Sequence, residues 1–423
     1  MKWKLVYPRW RKLERQTPFH LPPHGPVVFA ADVPAGVEIE FVDENVDELD
    51  FNDRPDLAAI SIMLTSQLPR AIEIAIRYRE LGIPVLAGGI ATTLHWKELK
   101  AYVDSVFLGE VEGRMQKIVS DLENKNLASV YDYQSDFPPT DRIGPARRSI
   151  LNYDRYVYRG VRMLDLVHAS RGCRFNCFPC CTPFLGGRKF RPRPIDMVVE
   201  EVRSIDNNRL FFVDNSLAQN YDWEEALFEA LIPLKKKWVS HPIENDDHLL
   251  DLAYRAGCWY VYQAIFDMSD VIRQRVKNYK DHGIGVEGTI ILGTDNQDED
   301  FIKRLVDYLL EIELDVTEFT ILTPFPESSI RNQLQREGRL LPNGWGDYTC
   351  DRVVFQPKNM TPTQLQDLYY FAWDRFYESA NQEVKMGKLF RQVVRREMED
   401  GTYQPSAVTA GRGHRRARNS STQ

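Results

Sequence analysis

The sequence predicts an α/β protein built from two wound units, and three observations carry that expectation. Short apolar runs alternate with amphipathic helical stretches over residues 1–125. The alternation restarts near Met163 and repeats through six strand-like runs to about residue 330. Just after the first strand of the second unit, one short loop crowds together four of the chain's 6 cysteines. Strands alternating with helices imply parallel sheets covered by helices.

In the first unit, Ala58 to Met63 reads as a buried strand and Pro69 to Leu81 as a helix ended by Gly82. Ile72, Ile74, Ala75 and Ile76 are among the apolar positions of that helix. Ile83 to Ala87 is the next strand, turning at Gly88-Gly89, and Ser105 to Leu108 another, ending at Gly109-Glu110. Ligands of wound parallel sheets lie beyond the carboxyl ends of the strands. Ser61 through Ser66, with Thr65, the Gly88-Gly89 pair and Gly109-Glu110 fall there. A double glycine admits close backbone approach to a ligand, and equally well closes a strand–helix turn. Phe137-Pro138-Pro139 and Gly144-Pro145 mark residues 126–160 as a linker.

The second unit covers residues 161–330. Its strands read as Leu164 to Ala169, Leu210 to Val213, Trp238 to Ser240, Trp259 to Phe266, Val286 to Leu292 and Val316 to Leu322. Polar or small residues follow them in turn: Asp214, Asn215, Ser240, Asp267, Gly293 and Thr323. Active groups gather at such strand ends, though Asp, Asn and Ser there also cap helices. The stretch from Asp267 to His282 looks short for a helix joining two strands. From residue 331 to 405 the pattern is helical, with Thr361-Pro362 as a helix start. Leu365, Leu368, Tyr369, Ala372, Trp373 and Phe376 form a packing stripe at helical spacing.

Composition narrows the class. The chain of 423 residues is 43% hydrophobic, enough for large cores, and no apolar run has the length of a membrane span. A net charge of −7 gives no reason to expect a nucleic-acid partner. The start, Met1 to Tyr7, does not read as a signal peptide, and free cysteines fit a reduced cytoplasmic compartment. The basic stretch from Arg412 to Arg418 reads as part of a disordered, solvated tail over residues 406–423.

Cys173, Cys177 and Cys180 have the spacing CxxxCxxC. Thiolate is the donor that iron–sulfur clusters take. A [4Fe–4S] cube held by three of them keeps one iron open to chemistry. Structural zinc calls for a second close Cys or His pair, and Cys258 and Cys350 stand alone. Six cysteines in 423 residues are too sparse for a disulfide framework. Cys181 adjoins Cys180, and neighbouring residues rarely point at one metal.

Ser170-Arg171-Gly172-Cys173, Phe212-Val213-Asp214-Asn215 and Leu322-Thr323-Pro324-Phe325-Pro326 together resemble the radical S-adenosylmethionine (SAM) enzymes. Leu57 to Ser61, Ala87 to Ile90 and Gly109 to Glu112 resemble the Rossmann-like, vitamin B12-binding domain that precedes the barrel in many of them. The resemblance implies a partial (β/α)6 TIM-type barrel with Cys173, Cys177 and Cys180 on a [4Fe–4S] cluster. It implies Asp214, Asn215, Ser240 and Asp267 for the polar groups of SAM, and Leu322 to Phe325, including Pro324, near adenine. Ser61, Thr65, Ser66, Gly88, Gly89, Gly109 and Glu110 would cradle cobalamin.

The implied activity is reductive SAM cleavage with methylation of an unactivated carbon. A non-methylating outcome (ring formation, oxidation or rearrangement) with an empty B12-type domain is the alternative. The implied partners are a small or lipid-like substrate and an electron donor such as flavodoxin or ferredoxin. Besides the short stretch from Asp267 to His282, two features depart from the family pattern. No Asp-x-His-x-x-Gly motif is present, the histidines of the first unit being His20, His24 and His95, and Pro179 precedes the third cysteine.

Overall fold

The computed structural model describes residues 1–15 and 19–404. The expected basic tail lies outside the described residues. The first sheet is made of β1 (Lys2–Tyr7), β2 (Glu38–Asp43), β3 (Leu57–Ser61), β4 (Val85–Gly88), β5 (Ser105–Gly109) and β6 (Val130–Tyr133). All pairs are parallel, in the order β2-β1-β3-β4-β5-β6. Strand β6 comes from the stretch expected to be linker.

Helices α1 (His24–Asp32), α2 (Leu68–Glu80), α3 (Ile90–Leu99) and α4 (Met115–Glu123) cover the sheet. The buried positions of α2 are Leu68, Ala71, Ile74, Ala75 and Tyr78, spaced by three and four as one helical face requires. Ile76, expected among its apolar positions, points to solvent at 42% exposure.

A short hairpin, β7 (Val157–Tyr158) and β8 (Val161–Arg162), precedes the second unit. Its sheet joins β9 (Asp165–Val167), β12 (Arg209–Phe212), β13 (Lys237–Ser240), β14 (Cys258–Ala264), β15 (Gly285–Leu292) and β16 (Val316–Ile321) in that order, all parallel. The ribbon β10 (Ser170–Arg171) with β11 (Arg191–Pro192) and the single-turn α5 (Thr182–Leu185) belong to the cysteine loop. Strands β9 and β16 do not pair, so the sheet is an open, partial barrel.

Its convex face carries α6 (Ile195–Ser204), α7 (Tyr221–Leu231), α8 (Asp247–Ala256), α9 (Asp270–Asp281) and α10 (Glu299–Glu311). Leu210, Phe212, Trp238, Val261 and Ile290 of the strands join the core beneath these helices. Asn220, Asp246, Ser269 and Asp298 each accept a backbone N–H at the start of α7, α8, α9 and α10, satisfying donors that a helix start leaves open. The connection between β14 and β15 is not short. Helix α9 has 12 residues, because the chain enters it directly after Ser269.

Helix α11 (Ser329–Arg336) leads into the C-terminal region, followed by α12 (Pro362–Phe376) and α13 (Gln382–Glu399). Thr361 and Gln364 form a capping box at the start of α12, and all six residues of its expected stripe are buried. Leu389 and Val393 of α13 pack on Val239, Tyr260 and Val316, on the concave side of the second sheet. Glu397 pairs with Arg209 at 2.6 Å to hold α13 there.

Candidate cofactor-binding site

The cysteine loop is tied at its neck by β10 and β11, where Arg171 faces Arg191 across the ribbon. Gly172 has φ +71°, and a Cβ there would lie 2.2 Å from the carbonyl oxygen of Lys189. Only glycine permits the chain to turn so tightly against its own return path. Cys173 is buried, whereas Cys177 and Cys180 are exposed. Burial raises the Cys173 thiol above its ordinary range. The Cys180 N–H donates to the Cys177 carbonyl at 2.9 Å, and the Thr182 N–H donates to Cys180 Sγ at 3.3 Å.

Among the described residues no three His, Cys, Asp or Glu side chains converge on a single ion. A cube suits three thiolates from one loop, since each thiolate takes its own iron. The donor set therefore fits a [4Fe–4S] cluster. Cys181 turns away, its Sγ 3.9 Å from the Pro326 carbonyl oxygen.

The four strand-end polar residues expected at SAM divide. Asn215 lies on the cysteine loop, donating to the Gly172 carbonyl at 3.3 Å and accepting from the Thr182 hydroxyl at 3.1 Å. Asp214 is buried and accepts the Ala169 N–H at 2.9 Å and the Ser170 hydroxyl. Burial pushes its carboxyl up to about 6. Ser240 is fully buried and donates to the His241 carbonyl at 2.7 Å. Asp267 is exposed and accepts the Ser269 N–H at 3.0 Å. Asp214 thus pins the start of the cysteine loop, and Ser240 and Asp267 serve local turns.

Leu322 and Pro324 are buried and Phe325 half-buried, beside the carbonyl that faces Cys181. A cleft of about 390 Å³ lies between the cysteine loop and the carboxyl ends of β14 and β15. Cys177, Phe178, Phe266, Ile291, Thr294, Asn296 and Gln297 line it. Sequence reasoning missed Gln219, which accepts the Arg174 N–H at 2.7 Å from a buried position. Only its place just after a strand end could have signalled it.

At the carboxyl ends of the first sheet, sterics distinguish the glycines. Gly89 has φ +104° with a would-be Cβ 2.5 Å from the Ile62 carbonyl oxygen, and Gly109 has φ +98° with a would-be Cβ 2.6 Å from that of Tyr133. The fold itself requires both. Gly88 meets nothing nearer than Phe107 Cβ at 3.9 Å, so its lack of a side chain is open to another use.

Ser61 and Ser66 are half-buried, and Thr65 is buried with its hydroxyl 3.1 Å from His95 Nε2. Met63 and Ile90 stand exposed at 49% and 46% beside them. Large apolar side chains held in the open at strand ends suit the apolar face of a macrocycle, so these residues fit a corrin. Glu110 is not free for a ligand, since its carboxylate is engaged by Arg191.

Two further contacts join the units. His24 Nε2 lies 2.7 Å from His168 Nδ1, which brings the start of α1 against the end of β9. Burial lowers His24 to about 3 and His168 well below its ordinary range. From the C-terminal region, Trp345 packs edge-on to His95 at 4.4 Å and donates to Glu98 at 2.9 Å. Arg331 lies over the Trp345 ring at 4.8 Å and donates to the Pro324 carbonyl at 3.1 Å. Burial, with the Arg331 charge second, lowers His95 to about 4.

The two sheets and this loop share the fold of solved radical SAM enzymes with an N-terminal domain of the B12-binding type. No protein-family model matches the chain. It is 24% identical to bacteriochlorophyllide d C-12(1)-methyltransferase of Chlorobaculum tepidum over 354 residues, 78% of this chain and 76% of that protein. It is 22% identical to hopanoid C-2 methylase of Rhodopseudomonas palustris, over 76% of this chain and 66% of that one. Among solved structures, the radical SAM methyltransferase TsrM from Kitasatospora setae, with cobalamin and a [4Fe–4S] cluster bound, superimposes with a TM-score of 0.63. It shares 16% identity, covering 87% of this chain and 85% of that one.

Proposed function

We propose that the chain transfers a methyl group to an unactivated carbon of an apolar small molecule, using SAM, a [4Fe–4S] cluster and cobalamin. The observation that carries this reading is the His24–His168 contact. It sets the carboxyl-end loops of the two sheets directly against each other, so that groups bound at both would share a border. When bound, the cluster and the corrin supply the electron and the methyl-carrying metal that this chemistry needs.

The chain itself supplies position and shelter. Cys173, Cys177 and Cys180 hold the cluster, with the Thr182 N–H supporting Cys180. Asn215 and Gln219 brace the cysteine loop from the barrel side. Phe178, Phe266 and Ile291 give the cleft an apolar wall, which keeps water from a reactive centre. Thr294 and Asn296 place polar groups at the rim of that cleft for orienting a ligand. Ser61, Ser66 and the open flank of Gly88 receive the corrin. Bacteriochlorophyllide d and the hopanoids, named for the relatives, are molecules of the apolar kind that such a wall accepts. A small redox protein such as flavodoxin or ferredoxin delivers the electron.

The test is anaerobic incubation of the reconstituted protein with methyl-labelled SAM and a strong reductant. Label in the corrin fraction, and then in a third molecule, supports the reading. Formation of 5′-deoxyadenosine with no movement of label overturns methyl transfer.

A further inference from the structure

Arg171 and Arg191 are cross-strand partners in the ribbon that closes the cysteine loop. Like charges directly opposite each other destabilise a strand pair. Among the described residues, every carboxylate within ion-pair distance of either arginine comes from the loop after β5, in the first unit. Arg171 lies 2.8 Å from Glu112 and 3.7 Å from Glu110, and Arg191 binds Glu110 through both terminal guanidinium nitrogens. The four side chains are between 7% and 21% exposed, where screening is weaker than at an open surface. The second oxygen of Glu112 is buried with no protein partner.

We propose that Glu110 and Glu112 are positioning residues for the iron–sulfur loop. Carboxylates of the first unit neutralise a two-arginine neck that the barrel unit leaves uncompensated. The loop therefore takes its ligand-holding shape only when the first unit is docked. The geometry of the cluster site is in this way made conditional on the presence of the corrin-side loop. The proposal rests on the cluster reading given above.

The experiment uses the full chain, reconstituted anaerobically. It compares wild type with Glu112→Gln, the double variant Glu110→Gln/Glu112→Gln, and the charge exchange Glu112→Arg/Arg171→Glu. Amide hydrogen exchange of residues 172–190 should speed up at least tenfold in the carboxamide variants while β3 and β4 keep wild-type protection. The electron paramagnetic resonance signal of the reduced cluster should change shape. The charge exchange should restore protection of the loop.

Wild-type exchange in residues 172–190 of both carboxamide variants overturns the proposal. So does acceleration that spreads through β3 and β4, which marks a general loss of fold. A wild-type chain that takes up no iron defeats the functional reading instead, and exchange in the iron-free chain still decides the role of the neck.

Discussion

The phenol of Tyr260 donates to the carboxyl of Glu287 inside the concave face of the second sheet. Burial, and then the neighbouring Glu318, raise the Glu287 carboxyl above its ordinary range. Tyr260→Phe leaves that buried carboxyl without its donor and should cost about 1–3 kcal/mol in urea unfolding. Glu287→Gln keeps an acceptor for Tyr260 and should cost under about 1 kcal/mol. Equal losses would mean that the hydrogen bond contributes nothing specific.

Glu224 gives a pH dependence of known sign. It is fully buried on α7, accepts the Glu244 N–H at 3.0 Å, and burial pushes it up to about 8 from an ordinary value of 4.5. Between those values the unfolded chain releases a proton that the folded chain retains, so rising pH favours unfolding. The stabilisation is complete below about 4.5 and is lost as pH rises through about 8. Glu224→Gln removes the effect. Its stability should gain on wild type by up to about 1.4 kcal/mol per pH unit between pH 5 and 8, read as unfolding midpoints across that range.

Asp214→Ala removes the acceptor of the Ala169 N–H and the Ser170 hydroxyl. An unsatisfied buried donor costs about 1–3 kcal/mol. Because Ser170 opens the neck of the cysteine loop, iron bound per chain should fall at least twofold, while Asp214→Asn, which keeps an acceptor, loses less.

The glycines of the first sheet separate fold from ligand. Gly89→Ala drives a methyl group into a carbonyl at positive φ and should destabilise by about 1–3 kcal/mol. Gly88→Ala has room in the fold, so its unfolding midpoint should stay near wild type while cobalamin affinity drops at least tenfold. Equal affinity in that variant would remove Gly88 from the corrin site.

Cys180→Ser should abolish the charge-transfer absorbance of the reconstituted cluster. Cys181→Ser should leave it intact, because that sulfur faces the Pro326 carbonyl rather than the ligand side of the loop.

Periodicity made the wound architecture legible, and the cysteine spacing pointed to the proposed cluster, because both are local patterns. The individual tasks of strand-end residues were not. Asp214, Ser240 and Asp267 share a position in the strand–helix repeat, yet their partners are set by how loops fold over them. Glu110 illustrates the same limit. Its place beside Gly109 pointed to a ligand, but its partner, Arg191, lies far away in sequence. Trp345 carried no periodic signal at all, since it belongs to a turn that gains its meaning from His95 across the molecule.

That turn has a consequence for biosynthesis. The strand ends of the first sheet emerge from the ribosome early, but the Trp345 side chain that packs over His95 and bonds Glu98 is made only after the entire barrel. The first domain can therefore fold with one flank of its ligand face still uncovered. Loading of a corrin of the proposed kind would have its window there, before the last quarter of the chain arrives and folds back.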